Sequence, residues 1–434
     1  MVSPSRQYRL ARAFPFYYGW FILGITSLTS YSARPLMAAT TLSIFVVPMT
    51  EHFGWSRGVF SGALSLGGLC AVVISPFVGR WIDRYGSGVV LSATAAIIGL
   101  CGVGLAFVSH LWVFYALYVP GRAVFASPLE LATSTATSNW FIRRRPLALA
   151  VLGATQGTGL AAMPVLAQAI ISSWGWQAAW ASLGIYTLVI GVIPALLIVR
   201  RPEDMGLEAD PPREPSLSSV RRYSGRPGVR NTGNEPEFTV GQALATRSFW
   251  VLAGFSAVGF LVQGGVIVHM VPHYVSQGLP GSSAALIISA FALAQVAAGL
   301  AWSGLVYRFP VRFLLAASGL FVALGAAGIA VSGTMGWGLA AAGALGVGIG
   351  GAHLLLRTTW ADFFGRGSLG SIRGITLSFQ LGGQLVGPVI AGFTYDAVGS
   401  YRPAFLALAA AVSLASVVVL AATPPRRPLP GATG

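Results

Sequence analysis

The sequence predicts an all-α membrane protein with twelve transmembrane helices in two pseudo-symmetric six-helix bundles. Hydrophobic residues make up 55% of its 434 residues and charged residues only 9%, whereas a soluble domain averages about 25% charged residues. The apolar residues are spread along the chain in blocks that are long enough to cross a bilayer. The two halves of the chain also resemble each other. Together these observations exclude a water-soluble globular domain.

Twelve apolar segments give the predicted spans. They are Tyr17–Val47, Arg57–Phe77, Gly88–Val108, Leu111–Trp140, Leu147–Ser173, Trp176–Val199, Phe249–Tyr274, Ala284–Tyr307, Arg312–Ser332, Trp337–Phe364, Ser371–Tyr395 and Tyr401–Ala421. Spans one, four and ten exceed the bilayer thickness, so we expect them to tilt or to project into water.

A segment of different composition separates spans six and seven. Residues 200–247 are rich in Pro, Ser, Glu and Arg, which is typical of a hydrophilic linker. The predicted organisation is a cytoplasmic N-terminus (1–16), a six-helix bundle (17–199), the cytoplasmic linker (200–247), a second six-helix bundle (248–421) and a cytoplasmic tail (422–434).

The distribution of arginine predicts the orientation in the membrane. With the N-terminus inside, the cytoplasmic side carries Arg6, Arg9, Arg12, Arg80, Arg84, Arg143, Arg144, Arg145, Arg308, Arg312, Arg366, Arg373, Arg426, Arg427 and the linker arginines, while the outside carries Arg57 and Arg402. This asymmetry follows the positive-inside rule and predicts a multi-pass protein of the cell membrane with both termini in the cytoplasm. The net charge of +15 forms no single basic patch, so we expect no nucleic-acid partner.

An internal repeat relates the two halves. A shift of 224 residues places Gln156 on Gln380 and Pro164 on Pro388, so "QGTGLAAMP" in span five pairs with "QLGGQLVGP" in span eleven. Two parallel six-span repeats joined by a cytoplasmic linker indicate a two-bundle secondary transporter.

The predicted loop between spans two and three contains "GRWIDRYG", residues 79–86. Glycine allows a tight turn and close helix approach, and Asp83 can either pair with a nearby arginine or lie at a helix N-terminus. This segment resembles the signature loop of the major facilitator superfamily. The resemblance implies a conformational latch formed by Gly79, Asp83, Arg84 and Gly86. The second-half copy, "GLVYRFPVR", keeps Gly304, Arg308 and Arg312 but lacks the Asp, so we expect a weaker latch there.

Four further stretches resemble bacterial members of the monocarboxylate transporter and oxalate/formate antiporter group. They are "FGWSRGVFSGALSLGGL", "NWFIRRRPLALAV", "VHMVPHYVSQGLPGSSAAL" and "FFGRGSLGSIRG". Two departures limit what the resemblance implies about the substrate. Members of this group often carry a substrate-binding arginine in span eight, which is missing from "IISAFALAQVAAGLAWSG", and the oxalate-type lysine of span eleven is missing from "LSFQLGGQLVGP".

The ionisable residues inside the spans are the strongest functional signal. They are Arg34 in span one, Arg122 and Glu130 in span four, His269 in span seven, and His353 and Arg357 in span ten. An uncompensated charge in lipid costs roughly 2.5–3.5 kcal/mol on insertion scales, so these side chains must face water or one another. In the resembled fold, spans one, four, seven and ten line the central cavity.

Three of these residues are candidate anion-binding groups, because a guanidinium offers a carboxylate a permanent charge and a two-pronged donor. Each has a structural alternative. Arg357 could reach the cytoplasmic face or pair with Asp362, Arg122 could pair with Glu130 or with exposed carbonyls, and Arg34 could have a structural role in the outer vestibule.

Glu130, His353 and His269 are candidate proton-coupling groups. A buried carboxylate can exchange protons, and a shift of 223 residues places Glu130 on His353. Alternatively, Glu130 is a counter-ion that never titrates, and His269 is a hydrogen-bonded structural residue. We expect His273, near the outer end of span seven, to be solvated.

The predicted function is secondary active transport of a small, monocarboxylate-like organic anion by alternating access, coupled to protons. An alternative with the same fold is efflux of multiple drugs or hydrophobic compounds, which Glu130 favours and the three arginines oppose. We expect no enzyme activity, because no nucleophile–base set or phosphate loop occurs. We expect no cofactor and no metal. The expected partners are the anion, protons and the lipid bilayer, with the protein acting as a monomer.

Overall fold

The computed structural model describes residues 16–210 and 237–425. Most of the predicted linker and termini, including Arg6, Arg9, Arg12, Arg426 and Arg427, lies outside the described residues. Within them the regular structure is helical throughout, and there is no β-strand. Residues 16–210 and Leu369–Ile375 belong to one compact unit, and residues 237–368 and 376–425 belong to the other. We call these the N-terminal unit and the C-terminal unit.

The N-terminal unit contains helices α1 to α8. Their bounds are α1 Gly19–Leu36, α2 Ala39–Phe53, α3 Arg57–Tyr85, α4 Ser87–Leu105, α5 Leu111–Val124, α6 Glu130–Trp140, α7 Arg145–Thr187 and α8 Ile193–Ala195, with π-helical stretches at Phe125–Leu129 and Leu188–Val192 and a 3₁₀ helix at Pro202–Met205. Helix α7 holds two predicted spans, because Gly175 has a φ of +85° and breaks the helical geometry.

The C-terminal unit contains the remaining helices. Their bounds are α9 Val240–Leu244, α10 Arg247–Ser276, α11 Gly281–Leu305, α12 Val311–Val331, α13 Met335–Phe364, α14 Leu369–Val398 and α15 Arg402–Val418, followed by a 3₁₀ helix at Val419–Ala421. The first seven residues of α14 belong to the N-terminal unit and the rest to the C-terminal unit. Helix α14 is therefore shared between the units.

Ten helical stretches of the described residues are long and apolar enough to cross a membrane. One of them, Arg145–Ala195, is 51 residues long and contains predicted spans five and six. Span four is not among the ten; its helical stretch consists of α5, the π-helical residues Phe125–Leu129 and α6. With these two adjustments the predicted twelve-span, all-helical fold is confirmed. Large apolar side chains such as Leu293 and Phe393 are more than 70% exposed, as lipid-facing residues should be.

Each unit has its own core of side chains from several helices. In the N-terminal unit the rings of Phe45 (α2) and Trp180 (α7) stack with centroids 4.0 Å apart. In the C-terminal unit, fully or nearly fully buried side chains of α10, α11, α13 and α15 pack together, including Met270, Phe291 and Leu345. These cores hold the helices that carry the ionisable residues.

The predicted loop at residues 79–86 is mostly helix, which corrects the sequence interpretation. Helix α3 continues through Tyr85, and α4 begins at Ser87. Gly86 alone makes the turn with a φ of +86°, a conformation that glycine adopts without the steric penalty of a side chain. Asp83 is therefore in the last turn of α3, where its direction is fixed by the helix.

Candidate functional site

Arg122 and Glu130 flank the π-helical stretch at Phe125–Leu129. Pro120 lies inside α5 and Pro128 inside the π-helical stretch. Proline has no N–H to donate, so it interrupts the regular hydrogen-bond ladder of a helix. Single π-helical turns are frequent at functional sites. This irregular segment positions both ionisable residues of span four.

Glu130 joins two arginines from different helices. Its Oε2 lies 2.6 Å from Nη2 of Arg34 on α1, and its Oε1 lies 3.8 Å from Nη2 of Arg373 on α14. The side chains of Arg34 and Glu130 are each 14% exposed and that of Arg373 is 4% exposed. Arg373 Nη1 also donates to the hydroxyl of Ser134, one turn further along α6. Removing one partner from such a buried pair leaves an uncompensated charge, which is strongly destabilising.

Arg122 is held differently. Its Nη1 donates to the carbonyl of Met37 at 3.1 Å, and its guanidinium carbon lies 4.5 Å from the centroid of the Phe125 ring. Its Nε is buried and has no hydrogen-bond partner among the described residues, and Arg122 takes part in none of their ion pairs. The stem packs against Gly67 of α3, where an added Cβ would lie 2.6 Å from Arg122 Cβ and Cγ.

The Phe125 ring connects the two arginines. The Arg34 guanidinium carbon lies 5.6 Å from the ring centroid on which Arg122 also packs. Both contacts fall within the roughly 6 Å range of cation–π attraction. Arg34 already has a carboxylate partner, whereas Arg122 has a carbonyl and an aromatic face. Of these two arginines, Arg122 is the one with no ion-pair partner among the described residues.

In the C-terminal unit, His353 lies between two glutamine side chains. Its Nε2 is 3.0 Å from Oε1 of Gln263 on α10, and its Nδ1 is 3.5 Å from Nε2 of Gln295 on α11. The imidazole stacks on Phe260 with a centroid distance of 5.0 Å. A neutral ring with its proton on Nε2 satisfies both contacts, since it donates to one amide oxygen and accepts from the other amide nitrogen.

The other predicted residues of this unit have different contact partners from those of His353. His269 Nε2 lies 3.0 Å from the carbonyl oxygen of Pro388, and the ring stacks on Tyr401. His273 is only 2% exposed, and its Nε2 lies 2.8 Å from the carbonyl oxygen of Ile329. The expectation that His273 is solvated is therefore wrong, because α10 continues to Ser276 and turns this residue into the helix packing. Arg357 is partly buried, one turn after His353 on α13.

Asp83 caps the start of α14. Its Oδ1 accepts the backbone N–H of Gly370 at 2.9 Å, and its Oδ2 accepts that of Ser371 at 2.7 Å. These N–H groups belong to the first helical turn and have no partner within their own helix. Of the two possibilities drawn from the sequence, the carboxylate at a helix N-terminus is the one found. Arg84 is exposed, and its guanidinium lies over the ring of Tyr85.

Arg373 and Arg145 were missed as buried residues by the sequence interpretation, which placed both among the cytoplasmic charges. Arg145 is fully buried and donates to the carbonyls of Phe141 and Ser138. Both arginines lie in the first turns of helices, α7 and α14. Their position next to an apolar span was the one sequence feature that could have indicated burial. The interaction of Arg373 with Glu130 could not be predicted from a single sequence, because the two residues are 243 positions apart.

A sequence profile of the Major Facilitator Superfamily matches residues 20–382 and 276–434. The chain belongs to this superfamily. It is 27% identical over 402 residues to human monocarboxylate transporter 11, covering 90% of this chain and 79% of the relative. It is 22% identical to human monocarboxylate transporter 2, over 93% and 85% of the two chains. It is also 26% identical to the uncharacterised MFS-type transporter YcxA of Bacillus subtilis, over 41% of this chain and 43% of the relative.

Solved structures share the fold of this chain. The proton:xylose symporter XylE, bound to 6-bromo-6-deoxy-D-glucose, aligns with a TM-score of 0.70 at 12% identity, over 92% of this chain and 94% of that chain. A bacterial homologue of the iron transporter ferroportin aligns with a TM-score of 0.68 at 16% identity, over 93% and 99%. These likenesses show that the chain shares the fold of those two proteins.

Proposed function

We propose that the chain is a proton-coupled secondary active transporter of a small, monocarboxylate-like organic anion. The supporting observation is Arg122, a partly buried guanidinium whose Nε has no partner among the described residues and which takes part in none of their ion pairs. A carboxylate can accept two parallel N–H bonds from such a group. The names of the monocarboxylate transporter relatives agree with this ligand class.

Arg34 and Glu130 supply the coupling in this proposal. While Glu130 is ionised, its carboxylate neutralises Arg34 across the 2.6 Å contact. A proton on Glu130 removes that compensation, and Arg34 becomes a second cation available to the anion beside Phe125. The charge of the site is then the same before and after one proton and one monoanion have entered, so the pair can be carried without leaving a net charge in lipid.

Arg357 and the two histidines have supporting roles in the proposal. Arg357 is a third candidate for anion binding, and His353 is a second candidate for proton exchange, with both ring nitrogens near glutamine amides. His269, whose Nε2 faces a backbone carbonyl, is the least supported of the three proton-coupling candidates. The alternative of cation efflux depends on Glu130, whose carboxylate instead faces two arginines. The proposed location is the cell membrane, with both termini cytoplasmic.

Uptake into proteoliposomes containing the purified chain tests this function. Labelled lactate, pyruvate, formate and oxalate are offered across an imposed pH gradient, acid outside. We expect at least one of them to accumulate, with proton movement following the anion. Exchange without proton movement would contradict the coupling, and drug flux without anion flux would contradict the substrate class.

Glu130→Gln separates coupling from binding in the same assay. The amide cannot carry the proton, so we expect proton-driven uptake to disappear while anion exchange persists. Glu51→Gln is the matched control, because it makes the same chemical change at an exposed carboxylate near the end of α2. Unchanged proton-driven uptake in Glu130→Gln would exclude Glu130 from the coupling role.

A further inference from the structure

Arg373 connects Glu130 to the start of a helix that both units share. It lies in the first two turns of α14, within the seven residues that belong to the N-terminal unit. Its guanidinium binds α6 at two points one turn apart, the Glu130 carboxylate and the Ser134 hydroxyl. At 4% exposure this charge is shielded from water, so its compensation depends on the protein.

The start of α14 is also packed closely against α3. An added Cβ on Gly370 would lie 2.6 Å from the Gly79 carbonyl oxygen, and one on Gly374 would lie 2.5 Å from the Ser75 carbonyl oxygen. With the Asp83 cap, three kinds of contact hold residues 369–375: backbone packing, a helix cap and the ion pair. Of these, the ion pair is the one that a proton on Glu130 would weaken.

We propose that Arg373 is a positioning residue that acts through Glu130: protonation of Glu130 loosens the first turns of α14, and ionisation fixes them. This deepens the proposed function, because it gives the coupling proton a mechanical consequence at a helix that continues into the C-terminal unit. Arg373 need not touch the anion. Through Arg373, the charge state of Glu130 determines how firmly the first turns of α14 are held.

The charged groups around Glu130 are few. Arg34 approaches from α1 and Arg373 from α14, and the Arg122 guanidinium lies 4.5 Å from the centroid of the Phe125 ring. Helix α4 carries no Asp, Glu, His, Lys or Arg, and those of α3 and α7 are at or near the helix ends: Arg57, Arg80, Asp83, Arg84 and Arg145. Asp83 is the one further carboxylate in this set, and it holds the same helix start.

Hydrogen–deuterium exchange of the full chain in lipid nanodiscs tests the proposal without any substrate. The readout is deuterium uptake by residues 369–375, corrected for the chemical pH dependence of exchange. We expect it to rise at least about fivefold in wild type between pH 8 and pH 4, a range that includes the ordinary glutamate pKa of about 4.3. In Glu130→Gln we expect the raised level at both pH values. Arg373→Gln should behave in the same way, and the double variant should exchange no faster than either single variant.

Asp83→Asn is the matched control, because it weakens the same helix start without touching Glu130. We expect a higher basal uptake that still depends on pH, and an effect that adds to that of Glu130→Gln. Arg373→Lys keeps the charge and should restore part of the pH dependence. Additive effects of Glu130→Gln and Arg373→Gln, or uptake at 369–375 that ignores pH in wild type, would overturn the proposal. Neither result would alter the anion uptake that tests the proposed function.

Discussion

Glu130 Oε2 lies 2.6 Å from Arg34 Nη2. The guanidinium carbon of Arg122 lies 4.5 Å from the centroid of the Phe125 ring, which Arg34 also approaches. Two arginines beside one phenyl ring therefore differ in charge compensation. A buried cation without a counter-ion is costly, and an anionic ligand would supply the missing charge. In the proposed function, this difference makes Arg122 the first contact of the anion.

Replacing Arg122 should lower the affinity for the anion more than it lowers the stability of the folded protein. A charge-assisted hydrogen bond contributes about 1.5–3 kcal/mol, so we expect Arg122→Gln to raise the half-saturating anion concentration about 10- to 100-fold. Arg122→Lys should recover part of the affinity, since it keeps the charge but not the two-pronged planar donor. Concentration-dependent exchange in proteoliposomes measures both. Equal affinity in wild type and Arg122→Gln would remove Arg122 from the site.

The latch motif allows a comparison between the two repeats. A Cβ on Gly79 would overlap the carbonyl of Gly370, whereas one on Gly304, its counterpart in the second half, meets nothing within 4 Å. We expect Gly79→Ala to lower the thermal unfolding temperature in detergent, because overpacking costs about 1–3 kcal/mol. Gly304→Ala should be close to wild type. Equal stabilities of the two variants would contradict the close packing at Gly79.

The fold was predictable from the sequence because the length of the apolar segments is a local property and the internal repeat has a fixed spacing. The choice of Arg34, Arg122 and Glu130 as a group followed from the cost of charge in lipid. The pairing among them did not follow, because Arg34 and Glu130 are 96 positions apart and Arg373 was assigned to the surface. A contact between helices that are distant in sequence depends on how the helices pack. The spacing of residues in one sequence does not reveal that packing.

The same limit explains the errors at helix ends. The motif at residues 79–86 was assigned to a loop because glycine and charged residues resemble turn sequences. The structure needs one residue, Gly86, for the turn. His273 was assigned to solvent from its nearness to a predicted span end, yet the Ile329 carbonyl lies 2.8 Å from its Nε2. Whether a residue near a helix end is buried or solvated depends on where the helix ends. Hydropathy locates that end only approximately.

His353 offers a test of the second proton-coupling candidate. Its ring nitrogens face Gln263 and Gln295, and the neutral imidazole satisfies both contacts. We therefore expect His353→Gln to reduce proton-driven uptake and anion exchange by similar factors, unlike Glu130→Gln, which should abolish only the first. Parallel measurement of the two rates in the same vesicles decides this. Loss of proton-driven uptake alone would place the coupling proton on His353 as well.

Gly67 tests the position of Arg122 without changing its charge. A methyl group at residue 67 would lie 2.6 Å from Cβ and Cγ of Arg122 and 3.2 Å from the Val119 carbonyl oxygen. The arginine stem must move, and with it the guanidinium over Phe125. Because bidentate recognition depends on fixed geometry, we expect Gly67→Ala to raise the half-saturating anion concentration by about tenfold.

The control for this substitution is Gly254→Ala on α10, where an added Cβ meets nothing within 4 Å. Both changes add one methyl group to a transmembrane helix and raise its helical propensity equally. Anion affinity should therefore fall in Gly67→Ala and stay unchanged in Gly254→Ala, while both proteins elute as folded species. If Gly67→Ala bound the anion as tightly as wild type, the orientation of the Arg122 side chain would not matter for binding, and the site would have to be sought at Arg34 or Arg357.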